Sequence, residues 1–308
     1  MDRLIRIGTR ESELAVWQAT LVKNLLAQYG YASELVYIKS EGDTDLKTPL
    51  YELGVQGIFT KTLDIAMLNN RIDIAVHSMK DVPTQPAKGI VSCAVLPRAS
   101  YKDIIVLKGS DPSFLEDTSA PALIATSSTR RRAQWLNRYP NHSIENLRGN
   151  VNTRLQKVID NHWHGAIFAA AGLERINLRP QHAYDLDWML PAPAQGAIVI
   201  TCLGDDAYCL KACHNLHDEN TAQCTTVERD FLRALMGGCT TPISALATVN
   251  NNMLHFRGNI LSLDGTQKKE VSMDVPVAAA AGLGQKAADA LLQDGGQKIL
   301  EEVRNAQK

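Results

Sequence analysis

The chain has 308 residues, 45% hydrophobic and 21% charged, with a formal net charge of −1. This length predicts two or three domains with a substantial core, and the near-neutral balance excludes a global field for nucleic acid or an anionic membrane. No apolar run reaches the ~18 residues of a membrane span, and Met1-Asp2-Arg3-Leu4-Ile5-Arg6 lacks the apolar stretch of a secretory leader.

In chain order, Leu4–Gly8 reads as a strand, and Leu14, Trp17, Leu21 and Leu25 then share a helical face between Ser12 and about Gln28. Glu34–Lys39 is a second strand. After a polar stretch, Phe59–Leu68 reads as a helix and Ile72–Val76 as a buried strand. This rhythm predicts a mostly parallel sheet with helices on both faces. A second series starts near Asp103, with strands Ile104–Leu107, Leu123–Thr126 and Ala166–Ala170 and helices after Thr129 and Asn152. Between the series, Pro97 and Arg98-Ala99-Ser100 form a hinge. Leu190-Pro191-Ala192-Pro193 is another crossing, followed by the strand Ala197–Thr201. Two crossings around one segment predict a domain inserted in a domain. Farther on, Thr225–Leu235 reads as a helix ending at Gly237-Gly238. Leu254–Arg257 and Val271–Val275 alternate as antiparallel strands around Leu263-Asp264-Gly265. An Ala-rich helix broken at Gly295-Gly296 closes the chain. The expected fold is two α/β domains, 1–97 with 197–216 and 101–193, followed by a small α+β domain at 220–308.

Six scattered cysteines do not form a disulfide framework, and free thiols in a reducing cytoplasm are expected. Three polar clusters follow buried strands, where ligands of α/β sheets sit. The first is His77-Ser78-Met79-Lys80-Asp81-Val82-Pro83, readable either as a site or as an ordinary surface turn. In Thr126-Ser127-Ser128-Thr129-Arg130-Arg131-Arg132, the hydroxyls suit a helix N-cap and the first backbone N–H groups face an anion. Successive helical residues point ~100° apart, so Arg130 and Arg131 are assigned to the site and Arg132 to solvent or packing. Leu147-Arg148-Gly149-Asn150-Val151-Asn152-Thr153-Arg154 repeats the logic, with a glycine for close backbone approach. A solvated helix face explains either arginine cluster alone; together they imply a ligand with several carboxylates or phosphates. Cys209, Cys213, His214 and His217 have helical spacing that suits either a metal or a packed helix face, and no metal is expected. Cys239, in Met236-Gly237-Gly238-Cys239-Thr240-Thr241-Pro242, is readable as a buried core thiol or as a thiol on an open turn.

As an ordered set these segments resemble the porphobilinogen deaminase (hydroxymethylbilane synthase) family. To them are added Arg6-Ile7-Gly8-Thr9-Arg10-Glu11-Ser12 with Trp17-Gln18, Ala169-Ala170-Ala171-Gly172-Leu173 with Arg175, and Leu190-Pro191-Ala192 with Gln195-Gly196-Ala197. Glu228-Arg229 and Gly237-Gly238-Cys239 complete the set, so the resemblance runs from residue 4 to about 245 in register. It implies two periplasmic-binding-protein-like α/β domains plus the small α+β domain. It also implies a reaction: four porphobilinogen molecules are joined head to tail with release of ammonia, then hydrolysed off as hydroxymethylbilane for haem biosynthesis. By resemblance, Cys239 carries a dipyrromethane primer through a thioether. Asp81 is the catalytic carboxylate, expected to be buried beside the pyrrole nitrogens, where it stabilises the azafulvene cation and moves protons. Arg10, Ser12, Ser78, Lys80, Thr126, Ser127, Ser128, Arg130, Arg131, Arg148, Gly149, Arg154, Arg175 and Gln195 are the expected cofactor- and substrate-binding residues. The chain is expected to act as a monomer. Glu41, Glu52 and Gln56 depart from the family's usual residues in the polar stretch 42–57, which resembles its loop over the cleft. Three rival readings remain at this point. A two-lobed receptor without turnover predicts no adduct on Cys239, a thiol enzyme predicts a free Cys239 and a nearby base, and a chain braced by arginine networks leaves the strand-end clusters unexplained.

Overall fold

The computed structural model describes residues 3–39, 60–236 and 241–306. Cys239 with its two glycines, and the 42–57 stretch with Glu41, Glu52 and Gln56, lie outside the described residues.

The chain opens with β1 (Ile5–Thr9), α1 (Glu13–Gln28), β2 (Ser33–Tyr37), α2 (Lys61–Leu68), β3 (Ile74–Ser78) and β4 (Ile90–Val95). It then crosses to β5 (Asp103–Leu107), β6 (Leu123–Ala125), α3 (Thr129–Arg138), β7 (Ser143–Glu145), α4 (Val151–Asp160), β8 (Gly165–Ala169), α5 (Ala170–Glu174) and β9 (Ala183–Asp185). A second crossing leads to β10 (Ile198–Leu203) and α6 (Ala207–His214). The two five-stranded sheets have the orders β2-β1-β3-β10-β4 and β7-β6-β8-β5-β9. The last part holds α7 (Glu219–Ala234), the meander β11 (Ile243–Asn250), β12 (Met253–Leu261) and β13 (Lys268–Pro276), then α8 (Leu283–Leu291) and α9 (Gln297–Asn305). The architecture is two α/β domains and a small α+β domain.

The sheets are mostly parallel in strand direction, as expected, with one reversed strand each. In each, four strands run in one direction, and the fifth is the strand that follows a crossing. That strand, β10 in one sheet and β5 in the other, runs antiparallel to both neighbours. A strand arriving from the other domain enters from the end opposite to one delivered by a βα unit, so its direction is reversed.

Both faces of the first sheet are covered. Ile5, Ile7, Ile74 and Val76 meet Ala19, Val22 and Leu26 of α1, while Ala75 packs with Leu63, Ala66 and Met67 of α2. This two-sided burial explains the unbroken apolar runs. On α1 the buried face is Ala15, Gln18, Ala19, Val22 and Leu26, one residue on from the predicted stripe. Alanines allow the closest approach to the sheet, and Trp17 is left exposed, with the Arg175 guanidinium 5.9 Å from its ring centre. Cys209 and Cys213 of α6 are fully buried in the same core, beside the half-buried Cys93.

The two crossings run side by side: Ala99 N–H donates to Gly196 O at 3.1 Å, and Arg98 Nε to Gln195 O at 2.9 Å. Gly196 has φ +88°, and a Cβ there would sit 2.7 Å from the carbonyl oxygens of Ala99 and Ser100, so glycine is required. Both crossings are tied to α7. Fully buried Glu228 accepts from Arg98 Nη1 (2.6 Å) and Nη2 (3.1 Å), from Ala194 N–H (2.6 Å) and from Ala247 N–H (2.7 Å).

Candidate active site

β3 ends in Ser78, and the chain turns through one 3-10 turn, Met79–Asp81. Met79 points into the core, Lys80 is half-buried and Asp81 is exposed. The burial expected for Asp81 is therefore corrected: an ionised carboxylate keeps its water until a ligand rich in N–H groups or positive charge replaces it. Asp81 lines a cleft with Arg10, Leu14, Ala15, Gln18, Thr60, Val76, His77 and Ser78. Gln18, itself buried, donates from Nε2 to Ser78 Oγ at 2.9 Å, which fixes that hydroxyl and leaves its own proton to donate. Burial, reinforced by Arg10, brings His77 down to about 4, so its ring is neutral at pH 7. Ser12 occupies the N-cap position of α1, and its side chain makes no cap hydrogen bond.

Across from this turn stand the two arginine clusters. Arg130 and Arg131 are buried and Arg132 is exposed. Asp103, fully buried at the start of β5, holds the pair. Arg131 Nε and Nη2 donate to its Oδ1 at 3.0 and 2.7 Å, and Arg130 Nη1 lies 2.7 Å from Oδ2. Burial pushes the Asp103 carboxyl up, but Arg130, Arg131 and Lys80 outweigh it and hold the group ionised far below the usual carboxylate range. Gln195 joins this cluster to the opposite domain. Its Nε2 donates to Asp103 Oδ1 (3.0 Å) and Tyr101 O (2.8 Å), and its Oε1 accepts from Lys80 Nζ at 3.2 Å. Burial draws the Lys80 ammonium down to about 8, against the pull of Asp81.

Gly149, at φ +112°, ends the strand-to-helix turn, and a Cβ there would meet Thr153 Cγ2 at 2.8 Å. Its carbonyl accepts from Arg154 Nε at 2.7 Å. Burial, then repulsion from Arg131 and Arg148, lowers Arg154 to about 10, while Asp81 pulls it back up. Arg154 thus shares one field with both arginine clusters and with Asp81 of the opposite domain. Arg148 is buried nearby.

Other expected residues have structural partners. Ser127 Oγ donates to Leu147 O (3.0 Å) and accepts from Leu147 N–H (2.8 Å), tying the two strand ends together. Ser128 caps α3 by accepting from Arg131 N–H, and Thr126 Oγ1 accepts from Ser128 N–H. Arg175 donates to Gly196 O at 2.8 Å, and burial lowers it to about 10. Among the described residues no group of three or more His, Cys, Asp or Glu is arranged for a metal; His217 Nδ1 accepts from Val95 N–H instead. Gln18, Asp103 and Arg229 were not singled out for the site from sequence. The cationic groups gathered around this turn, with Arg10 and the exposed Asp81 carboxylate lining the cleft itself, fit a ligand that carries several carboxylates and presents N–H groups.

The described "Porphobilinogen deaminase, dipyromethane cofactor binding domain" family matches residues 5–211, and "Porphobilinogen deaminase, C-terminal domain" matches residues 222–293. A porphobilinogen deaminase of Acidithiobacillus ferrooxidans is 40% identical over 314 residues, covering 99% of this chain and 100% of that protein. One of Desulforamulus reducens is 39% identical over 308 residues, covering 99% of each. Among solved structures, a probable amino-acid transporter extracellular-binding protein of Bacillus subtilis superposes with a TM-score of 0.43 and 14% identity, covering 72% of this chain and 94% of that one.

Proposed function

The chain belongs to the porphobilinogen deaminase family, and from that premise we propose that it condenses four porphobilinogen molecules head to tail, releasing ammonia at each addition and then hydroxymethylbilane. The observation that carries the reading is the hydrogen-bonded chain that runs from Lys80, next to Asp81, through Gln195 to Asp103 and its Arg130–Arg131 pair, and so joins the turn of one domain to the arginine cluster of the other. The family's dipyrromethane group, when bound, supplies a pyrrole end to which the first substrate is joined, and Cys239 is its proposed anchor.

The chain's own groups do the rest. The arginines, with Lys80, Arg10, Ser12 and Ser78, bind the acetate and propionate groups of substrate and growing chain. Gly149 works through its backbone, and Thr126, Ser127 and Ser128 by holding the Arg-bearing strand ends. Gln195 acts through Lys80 and Asp103, and Arg175 is held by Gly196 O at the second crossing, beside Trp17. Asp81 accepts the pyrrole N–H bonds and stabilises the cation left when ammonia departs. Its carboxylate also takes up the proton released on joining. A Cys239 fixed as anchor and an Asp81 active at every addition are separate roles.

The domain division 1–97 with 197–216, 101–193 and 220–308 is supported by the membership of the three sheets. A cytoplasmic location is supported by the unpaired thiols Cys93, Cys202, Cys209, Cys213 and Cys224. A monomer is proposed from the family resemblance, and sedimentation giving the mass of two chains would overturn it. Intact-protein mass spectrometry tests the central reading. The purified chain should exceed its polypeptide mass by two linked pyrrole units, the excess should vanish in Cys239→Ser, and porphobilinogen should add further units. An unmodified chain with full turnover would exclude the anchor; a chain that never consumes porphobilinogen would exclude the reaction.

A further inference from the structure

One guanidinium of the third domain grips the turn that carries Lys80 and Asp81. Arg229 of α7 donates from Nη1 to Met79 O (3.2 Å) and Val82 O (2.9 Å), and from Nη2 to Pro83 O (2.6 Å). Within that turn the local restraint is slight: Val82 N–H donates to Met79 O at 3.2 Å, while Met79 N–H is held from outside by Ala197 O at 3.0 Å. Pro83 has no N–H to offer. Three carbonyls spread over five residues converge on one planar fork only when the turn has this shape; in other conformers they diverge. The geometry is one that Arg meets and Lys does not, because the guanidinium presents several donors in fixed directions. Burial lowers the Arg229 pKa, and the three carbonyl oxygens, by accepting from the charged guanidinium, work against that cost.

The neighbour on the same helix, Glu228, ties down both crossings between the α/β domains. One stretch of α7 therefore sets the catalytic turn and the domain crossings together, and Cys239 follows five residues after that helix ends at Ala234. We propose that Arg229 is a positioning residue for this reaction: it acts through the 79–83 turn, selecting the one conformer that holds Asp81 in place. This rests on the reaction assigned above.

The test uses the full-length, primer-loaded enzyme, with loading checked by mass, in a double-mutant cycle of Arg229→Gln and Asp81→Ala. With Asp81 present, Arg229→Gln should lower kcat about tenfold or more while KM moves less than about threefold, and Arg229→Lys should recover only part of the loss. With Asp81→Ala already made, Arg229→Gln should cost less than about twofold further in single-turnover rate. Equal losses in both backgrounds, or a loss that only tracks the folded fraction, would overturn the proposal. If Arg229→Gln does not load, Arg229→Lys goes through the same cycle with the same criterion. A readout independent of turnover separates this inference from the reaction itself. Hydrogen exchange at Val82 N–H should speed up about tenfold or more in either variant, relative to amides of β1. Unchanged protection there sinks the positioning role even if porphobilinogen is consumed, and a wild-type chain that does not turn over fails the reaction, leaving the exchange result to decide on Arg229.

Discussion

Lys80 and Asp81 are adjacent in sequence and opposite in environment. Lys80 is half-buried against Gln195, near Arg130 and Arg131, and its ammonium is drawn down to about 8; Asp81 is exposed at the cleft. One 3-10 turn makes the difference, since successive side chains on it point about 120° apart. On the proposed function the cationic side grips carboxylates, and that grip should weaken as the pH rises through about 8 in the ligand-free chain, where Lys80 loses its proton. Asp81 is the only one of the pair placed to meet developing positive charge. Asp81→Ala should therefore lower kcat by about 3–4 kcal/mol of transition-state stabilisation. KM for porphobilinogen should change less than about threefold, because the arginines that hold its carboxylates are untouched. Steady-state kinetics on the primer-loaded variant checks this, and near-normal kcat would remove Asp81 from the chemistry.

At the scale of elements, the Arg-bearing segments are short helices, and each is held by a cap. Asn150 Oδ1 accepts from Thr153 N–H at 2.9 Å at the start of α4, and Ser128 does the same for Arg131 N–H at the start of α3. Arg154 projects from the first turn of α4 and leans on Gly149 O, so the cap and the arginine share one frame. Asn150→Ala should cost about 1 kcal/mol and lower Tm by about 2–4 °C. KM should rise in the same variant, while Asn150→Asp keeps both; a KM indifferent to the cap would show that α4 does not position Arg154. The start of α3 was readable in sequence because Ser128 follows the apolar strand Leu123–Ala125 within three residues and precedes Arg130 and Arg131, whereas α4, expected after Asn152, starts two residues earlier with Asn150 as its cap. The edge strands β7 and β9, only three residues each, were not readable, nor was β4 with its exposed Val91 and Ser92. Their pairing is decided by the neighbouring strand, which local periodicity does not report. For the same reason the sequence could not reveal that β5 and β10 run antiparallel. The residues missed at the site share this cause: Gln18 meets Ser78 60 positions away, Asp103 meets Arg131 28 away, and Arg229 meets Met79 150 away. Each is an unremarkable polar residue until folding supplies its partner.

Across the whole molecule, the α/β domains are joined by two adjacent crossings and faced by a third domain that touches both. Beyond the crossings, Asn152 Nδ2 of one domain donates to Glu13 Oε2 of the other at 2.8 Å. That exposed contact, like surface polar pairs generally, contributes little and opens readily. Glu228 is different, because its fully buried carboxylate collects Arg98 from the first crossing, Ala194 from the second and Ala247 from β11. All four donors point at two oxygens. Glu228→Gln keeps the shape and replaces one oxygen by an amide nitrogen, so donor faces donor and Arg98 loses its counter-charge. Removing one partner of a buried pair costs about 3–5 kcal/mol. With the third domain no longer fastened to the crossings, the domain held by its own core of Phe231, Phe256 and Leu283 should melt separately from the other two, more so than in the wild type. Calorimetry on Glu228→Gln reads both effects. A single transition at the wild-type Tm would mean that the crossings are held by their mutual backbone bonds and that Glu228 is not the fastening.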